Sequence, residues 1–299
     1  MTQTMTHGRN QTMTIARHGL PRPAGTAWAG TAWAGHAWTG LSDALRAEWT
    51  KLRTVPGTAW ILTAICVLTV AVGAATAAAT RCGAGTRCTI DPTKVSLTGI
   101  EVGQAVVAVL AVLMISGEYS TGMIAATFTA MPRRWMVLAA KAAVLTGLVL
   151  VVAVVAVAGS LAAGRLILTG NGLTAAHGFA VVSLHGPTVR AAVGSVLYLE
   201  LVGLLSLGIA TIVRDSAAAT GAVLGILYVP PVIALFLGSE PAWQHWVERY
   251  TPTNAGLAIL NTTGLRDLVI SPWAGLGVLA AWAAAALLAA GVLLRLRDA

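Results

Sequence analysis

The chain has 299 residues, of which 57% are hydrophobic and only 10% charged, against roughly 25% charged residues in an ordinary soluble domain, so water is not its main solvent. A formal charge of +8 raises nucleic acid as a partner, but the 19 Lys and Arg are scattered between apolar blocks; they form no basic stripe and no aromatic platforms interleave with them, which argues against nucleic-acid binding. Apolar runs of about 20 residues recur instead, the length that crosses a bilayer core of ~30 Å as a helix. Lipid cannot satisfy free backbone polar groups, so the runs must be helical. The expected fold class is an all-α membrane protein with six transmembrane helices.

Residues 1–40 are rich in Thr, Gly and Ala and carry the near-repeat from Thr26 to Gly40, with Trp28, Trp33 and Trp38 five residues apart. That spacing fits neither helix nor strand, and the composition predicts a disordered cytoplasmic tail whose tryptophans touch the bilayer interface at most. No apolar core follows the early arginines before residue 58, so the segment does not read as a signal peptide. From Leu41 to Arg53 the character changes: Leu45, Trp49 and Leu52 share helical spacing, Arg46, Glu48, Lys51 and Arg53 take the other faces, and Ser42 is placed to cap. This predicts an amphipathic helix in the headgroup plane over 41–57, ended by Pro56-Gly57.

The six-span domain follows over 58–299, with spans expected at 58–79, 99–116, 137–163, 190–213, 217–238 and 273–294. With both termini inside, 12 of the 19 basic residues fall on the cytoplasmic side, among them Arg46, Lys51, Arg53, Arg133, Arg134, Lys141, Arg214 and Arg295. That bias sets the expected orientation in a cell (plasma) membrane. Of the three cysteines, Cys66 lies inside the first span, while Cys82 and Cys88 share a short outer loop in which a disulfide and two free thiols are both open readings. None matches metal-ligand spacing, and no metal is expected.

Two non-span regions are too long for simple connections. The cytoplasmic one covers 117–136. The outer one, 239–272, holds Trp243, Trp246, Tyr250 and the apolar stretch Ala255–Leu260, too short to span, and predicts two short helices at the outer interface.

Chemistry-bearing residues are few. No glycine stands ahead of Lys51, Lys94 or Lys141 at the spacing of a phosphate-binding loop, so any ATP must be bound by another chain. The serines within spans, Ser160, Ser195 and Ser206, have no histidine nearby in the topology, which puts all six histidines in the tail or outer loops; no catalytic residue is assigned. Glu200 differs, because a charged group at mid-span costs about 2.5–3.5 kcal/mol on insertion scales. It must face protein or water, with Gln104 of the second span and Tyr228 of the fifth as expected partners. A protonated structural glutamate and a place on a translocation pathway both remain open. Pro230-Pro231 is expected to interrupt and kink the fifth span. Gly99-x-x-x-Gly103 and Gly221-x-x-x-Gly225 allow close helix approach, with packing inside the chain as the expectation.

The stretch Gly117–Val144 is the most informative. Ser120 or Thr121 caps a short helix, Ile124, Phe128 and Met131 share one of its faces, Pro132 stops it, and Arg133, Arg134 and Lys141 mark re-entry on the cytoplasmic side. A short amphipathic helix held between two spans gives a cytoplasmic partner a surface to push, although ordinary interfacial packing is equally open from periodicity alone.

Gly117, Glu118, Tyr119, Ser120, Gly122, Met123, Ile124, Thr127, Pro132 and Arg134 together resemble the segment after the second span in permease subunits of ABC-2 type transporters. The helix Leu45–Arg53 and the segment Arg249–Leu260 are similar to other parts of that family, so the resemblance covers roughly 41–299. It implies a subunit without ATPase motifs of its own, paired with a second permease subunit, identical or related, and with cytoplasmic ATPase subunits that bind ATP and Mg. It further implies that about Ser120–Met131 is the coupling helix that docks on the ATPase, with Glu118, Tyr119, Arg133 and Arg134 flanking it, and that the outer helices cap an exit. Two other classes stay open: an ATPase-independent membrane anchor or immunity protein, and a secondary transporter coupling protons through Glu200. Cargo identity is not legible; the weakly polar spans fit amphipathic or lipid-like compounds.

Overall fold

Proline opens six of the nine α-helices among the described residues, at Pro56, Pro92, Pro187, Pro241, Pro252 and Pro272. The first-turn N–H has no partner within a helix, so proline loses nothing there and its fixed φ favours the start. A computed structural model of the chain describes residues 46, 50, 56–81, 90–120, 134–171, 186–236 and 241–296. The elements are α1 (Pro56–Ala79), α2 (Pro92–Leu97), α3 (Ile100–Ser120), α4 (Arg134–Gly170), α5 (Pro187–Val213), α6 (Ser216–Phe236), α7 (Pro241–Tyr250), α8 (Pro252–Leu257) with a 3-10 turn at Ala258–Leu260, and α9 (Pro272–Leu296). There is no strand among the described residues. Arg46 and Thr50 are both helical, and the Thr50 hydroxyl donates to the Arg46 carbonyl at 2.8 Å; of the rest of the expected 41–57 helix, Pro56 and Gly57 open α1, and the other residues, like the 1–40 tail, lie outside the described residues.

Six stretches are long and apolar enough to cross a membrane: Gly57–Ala79, Pro92–Gly117, Trp135–Gly170, Pro187–Val213, Ser216–Ala234 and Pro272–Leu296. The chain is a multi-pass helical membrane protein, as its composition requires. An even number of crossings puts Pro56 and Leu296 at one end of the bundle, here the near face, together with the α3–α4 and α5–α6 connections. The far face carries the ends of α1 and α4, and α7 and α8. Two spans differ from expectation. The second begins earlier, with α2, and the third is a 37-residue helix, about 55 Å long at 1.5 Å per residue and longer than the ~30 Å hydrocarbon core.

α5 is the central element, packed against α3, α4, α6 and α9. Of its span 61% is buried, against 17% for α6. The core joins Tyr198, Leu199, Val202 and Leu205 of α5 to Val107 and Leu110 of α3, Leu145 and Val149 of α4, Leu227 of α6 and Leu279 of α9. Lipid is as apolar as these side chains, so close packing rather than water exclusion holds the helices together. Gly99 and Gly103 show how close: a Cβ at Gly99 would strike the Thr69 carbonyl of α1, and one at Gly103 the Thr69 hydroxyl. The same test at Gly221 and Gly225 of α6 meets nothing within 4 Å. Packing inside the chain therefore holds for the first glycine pair; the second faces away from its own bundle.

The far face is tied by polar side chains. Asp91 caps α2, its Oδ1 accepting from the N–H groups of Thr93 and Lys94, both at 3.1 Å. The same carboxylate accepts from the N–H of Thr262 at 2.5 Å and of Thr263 at 3.1 Å, and from the Thr262 hydroxyl at 2.7 Å. Arg190 donates to the Asn261 carbonyl at 2.5 Å, and Asn171 donates to the carbonyls of Ala77 and Thr80 at 3.2 Å, closing the end of α1. On the near face α5 turns into α6 through only Arg214, left-handed at φ 64°, and Asp215, whose Oδ1 accepts from the Ala218 N–H at 2.7 Å.

Candidate functional site

Polar side chains inside the bundle gather where α3, α5 and α6 meet. Gln104 is 1% exposed and its Oε1 accepts from the Tyr198 hydroxyl of α5. Tyr198 is fully buried, with its ring against Gly256 of α8 and Leu279 of α9. The Tyr228 hydroxyl of α6 donates to the backbone carbonyl of Glu101 in α3. These two bonds fasten the far half of α3 to both neighbouring helices and give each phenol the partner it needs in a dry environment.

Glu200 stands outside this arrangement. It is 7% exposed, and neither Oε1 nor Oε2 has a hydrogen-bond partner among the described residues. Depth was foreseen, partners were not: Gln104 is held by Tyr198, and Tyr228 by the Glu101 carbonyl. The geometry is simple, since Tyr198 and Glu200 are two residues apart on a helix and so point to opposed sides. The Tyr198 side meets α8 and α9, while Gly203, three residues beyond Glu200, lies against Val107 of α3 and Leu145 of α4. A carboxyl that finds no donor at membrane depth is costly to hold as a charge.

Lys141, expected to mark re-entry beside Arg133 and Arg134, is buried: it is 1% exposed inside α4, and its Nζ donates to the Met114 carbonyl of α3 at 3.4 Å. The long stem packs in the bundle and carries the ammonium to a carbonyl of α3 one turn before the unpaired carbonyls of its last turn. Pro230 and Pro231 do not interrupt the fifth span, because α6 runs helically through both to Phe236. Prolines are tolerated in membrane helices where neighbours compensate the lost bonds.

The remaining expectations fall as follows. The outer region forms two short helices, α7 and α8, with Ala255–Leu260 in the second and its 3-10 extension. Trp243, Trp246 and Tyr250 stack along α7, with ring centroids 5.3 and 5.9 Å apart in succession. Glu118, Tyr119 and Ser120 are the last residues of α3 and Arg134 the first of α4. Gly122, Met123, Ile124, Thr127, Phe128, Met131 and Arg133 lie outside the described residues, as do Cys82 and Cys88. Cys66 is a free thiol in α1, half-buried and facing the Val152 carbonyl of α4 at 3.7 Å. Sequence reasoning missed Asp91, Tyr198 and Arg190. Only Asp91 had a local signal, an Asp-Pro pair opening a helix. No protein-family model matches the chain, and no curated protein matches its sequence.

Proposed function

We propose that the chain is the membrane-spanning permease subunit of an ATP-binding cassette exporter of the ABC-2 type, driven by a separate cytoplasmic ATPase that binds ATP and Mg. One observation carries the reading: the segment Gly117–Arg134, whose residues resemble the family's coupling segment, connects the near ends of α3 and α4. The near face is then cytoplasmic. Six spans with both ends of the bundle on one side, and two short helices before the last span, support it.

In this reading the segment 121–133 is the handle and the bundle the moved part. α3 and α4 enter and leave the handle directly, α4 runs through the membrane to the far face, and both pack on α5. A push on the handle therefore reaches the central helix and the polar layer at Gln104, Tyr198 and Tyr228 through continuous packed helices rather than loops. A second permease subunit, identical or related, completes the pathway.

The test is retrieval. Ile124→Asp and Phe128→Asp place a charge in the docking face and are expected to lower co-purification of the ATPase by more than about tenfold, as for a truncated interface hot spot, with membrane insertion unchanged. If the tagged protein never retrieves an ATPase, and both variants behave as the parent chain does, the chain is an anchor or immunity protein rather than a transporter subunit. Unpartnered Glu200 favours a second reading, proton-coupled transport. Transport abolished by a protonophore but indifferent to loss of the ATPase would establish that reading instead.

A further inference from the structure

A cavity of about 380 Å³ opens on the far face between α2, α3, α7 and α8, within the roughly 300–1,000 Å³ range of small-molecule sites. Its lining is chemically mixed. Lys94, Glu101, Glu248 and Asp267 supply charge, and Leu257, Ala258, Leu260, Leu268, Val269 and Ile270 supply apolar surface. None of the four charged side chains makes a hydrogen bond or ion pair with a described residue, in contrast to Asp91 a few residues away. Lys94 is close enough to Glu101 to favour its charged form, and Glu248 and Asp267 add two further carboxylates to the lining, which Arg249 and Arg266, their neighbours in the chain, do not join.

We propose that this cavity binds an amphiphilic organic cation, its ammonium or similar head among Glu101, Glu248 and Asp267 and its apolar body against the apolar part of the lining. An acidic concavity with low-dielectric walls concentrates cations. An inorganic ion is the poorer match, because no group of three or more Asp, Glu, His or Cys among the described residues is placed to hold a metal. An extended cation uses separated carboxylates, and the apolar lining supplies its remaining affinity. The site stands whether or not an ATPase drives the chain, since it rests on the far-face walls alone.

The full chain in phosphatidylcholine nanodiscs, titrated with a dansyl-labelled octylammonium probe and read by fluorescence anisotropy, tests it. Binding is expected to saturate, to be at least about tenfold tighter than for the matched dansyl carboxylate, and to weaken about tenfold in the triple variant E101Q/E248Q/D267N, in the range of close interfacial charges. Lys94→Gln is expected to tighten cation binding about threefold, a gain that a folding defect does not mimic. Phosphatidylethanolamine in the disc separates two sources of the head group: competition assigns it to a lipid, and absence of competition to a soluble amphiphile. Equal affinity for the anionic probe, an unchanged triple variant, or weaker cation binding by Lys94→Gln each overturns the proposal.

Discussion

The far rim and the bundle centre treat a carboxylate in opposite ways. Asp91 at the rim accepts from two N–H groups of its own helix and from the backbone and side chain of Thr262. Glu200 at the centre is more deeply buried and accepts from nothing described. At the rim the chain leaves regular helix, so carbonyls and N–H groups need side-chain partners, and one carboxylate organises two segments that are distant in sequence. At the centre the chain runs as helix with no helix end to cap, so no terminus there calls for a carboxylate. The first residue is explained by the fold it stabilises. The second has no such explanation among the described residues.

The sharpest way to break this contrast is to remove the rim carboxylate. Asp91→Ala deletes the α2 cap and the tie to Thr262 and Thr263, and is expected to cost about 2–4 kcal/mol, a cap plus charge-assisted hydrogen bonds that do not add fully. Asp91→Asn keeps an acceptor and is expected to lose about half as much. Thermal unfolding in detergent, followed by the monodisperse fraction, measures both. An Asp91→Ala protein that melts with the parent chain removes the structural half of the comparison.

Run length made the spans legible, since 58–79 and 273–294 read from hydropathy lie within Gly57–Ala79 and Pro272–Leu296. Hydropathy failed where hydrogen bonding or azimuth decides. α4 continues past Gly164-Arg165 because a helix needs only its own i to i−4 bonds, whatever the polarity of its side chains. The burial of Lys141 was not legible, and Glu200 read as a partner of Gln104 or Tyr228, for one shared reason: helices apolar on every side carry no periodic signal of which face points inward. Depth along such a helix can be read from sequence, and direction around it cannot. Tyr198, the fully buried hinge of the polar layer, was invisible for the same cause.

The two glycine pairs differ as the two carboxylates do, without charge. Gly99→Ala drives a methyl into the Thr69 carbonyl and is expected to destabilise by about 1–3 kcal/mol, the cost of overpacking. Gly221→Ala meets nothing among the described residues and is expected to raise helix stability by up to about 1 kcal/mol. Melting curves and size-exclusion profiles taken together separate the cases. A Gly221→Ala protein that loses stability, or changes its oligomeric state, places a second copy against α6.

The smallest expected effect has the opposite sign to that of Asp91→Ala. Glu200→Leu removes a desolvated carboxyl that has no hydrogen bond to lose, so stability should be unchanged or should rise by about 1 kcal/mol. Glu200→Gln keeps the shape and removes only the acid. If both variants melt at or above the parent temperature and lose transport, the chain tolerates an unfavourable group at its centre because transport needs it there. If Glu200→Leu instead melts several degrees lower, the carboxyl has a structural partner and the bundle centre resembles the rim. If Glu200→Gln keeps full transport and full stability, the residue serves neither the pathway nor the fold.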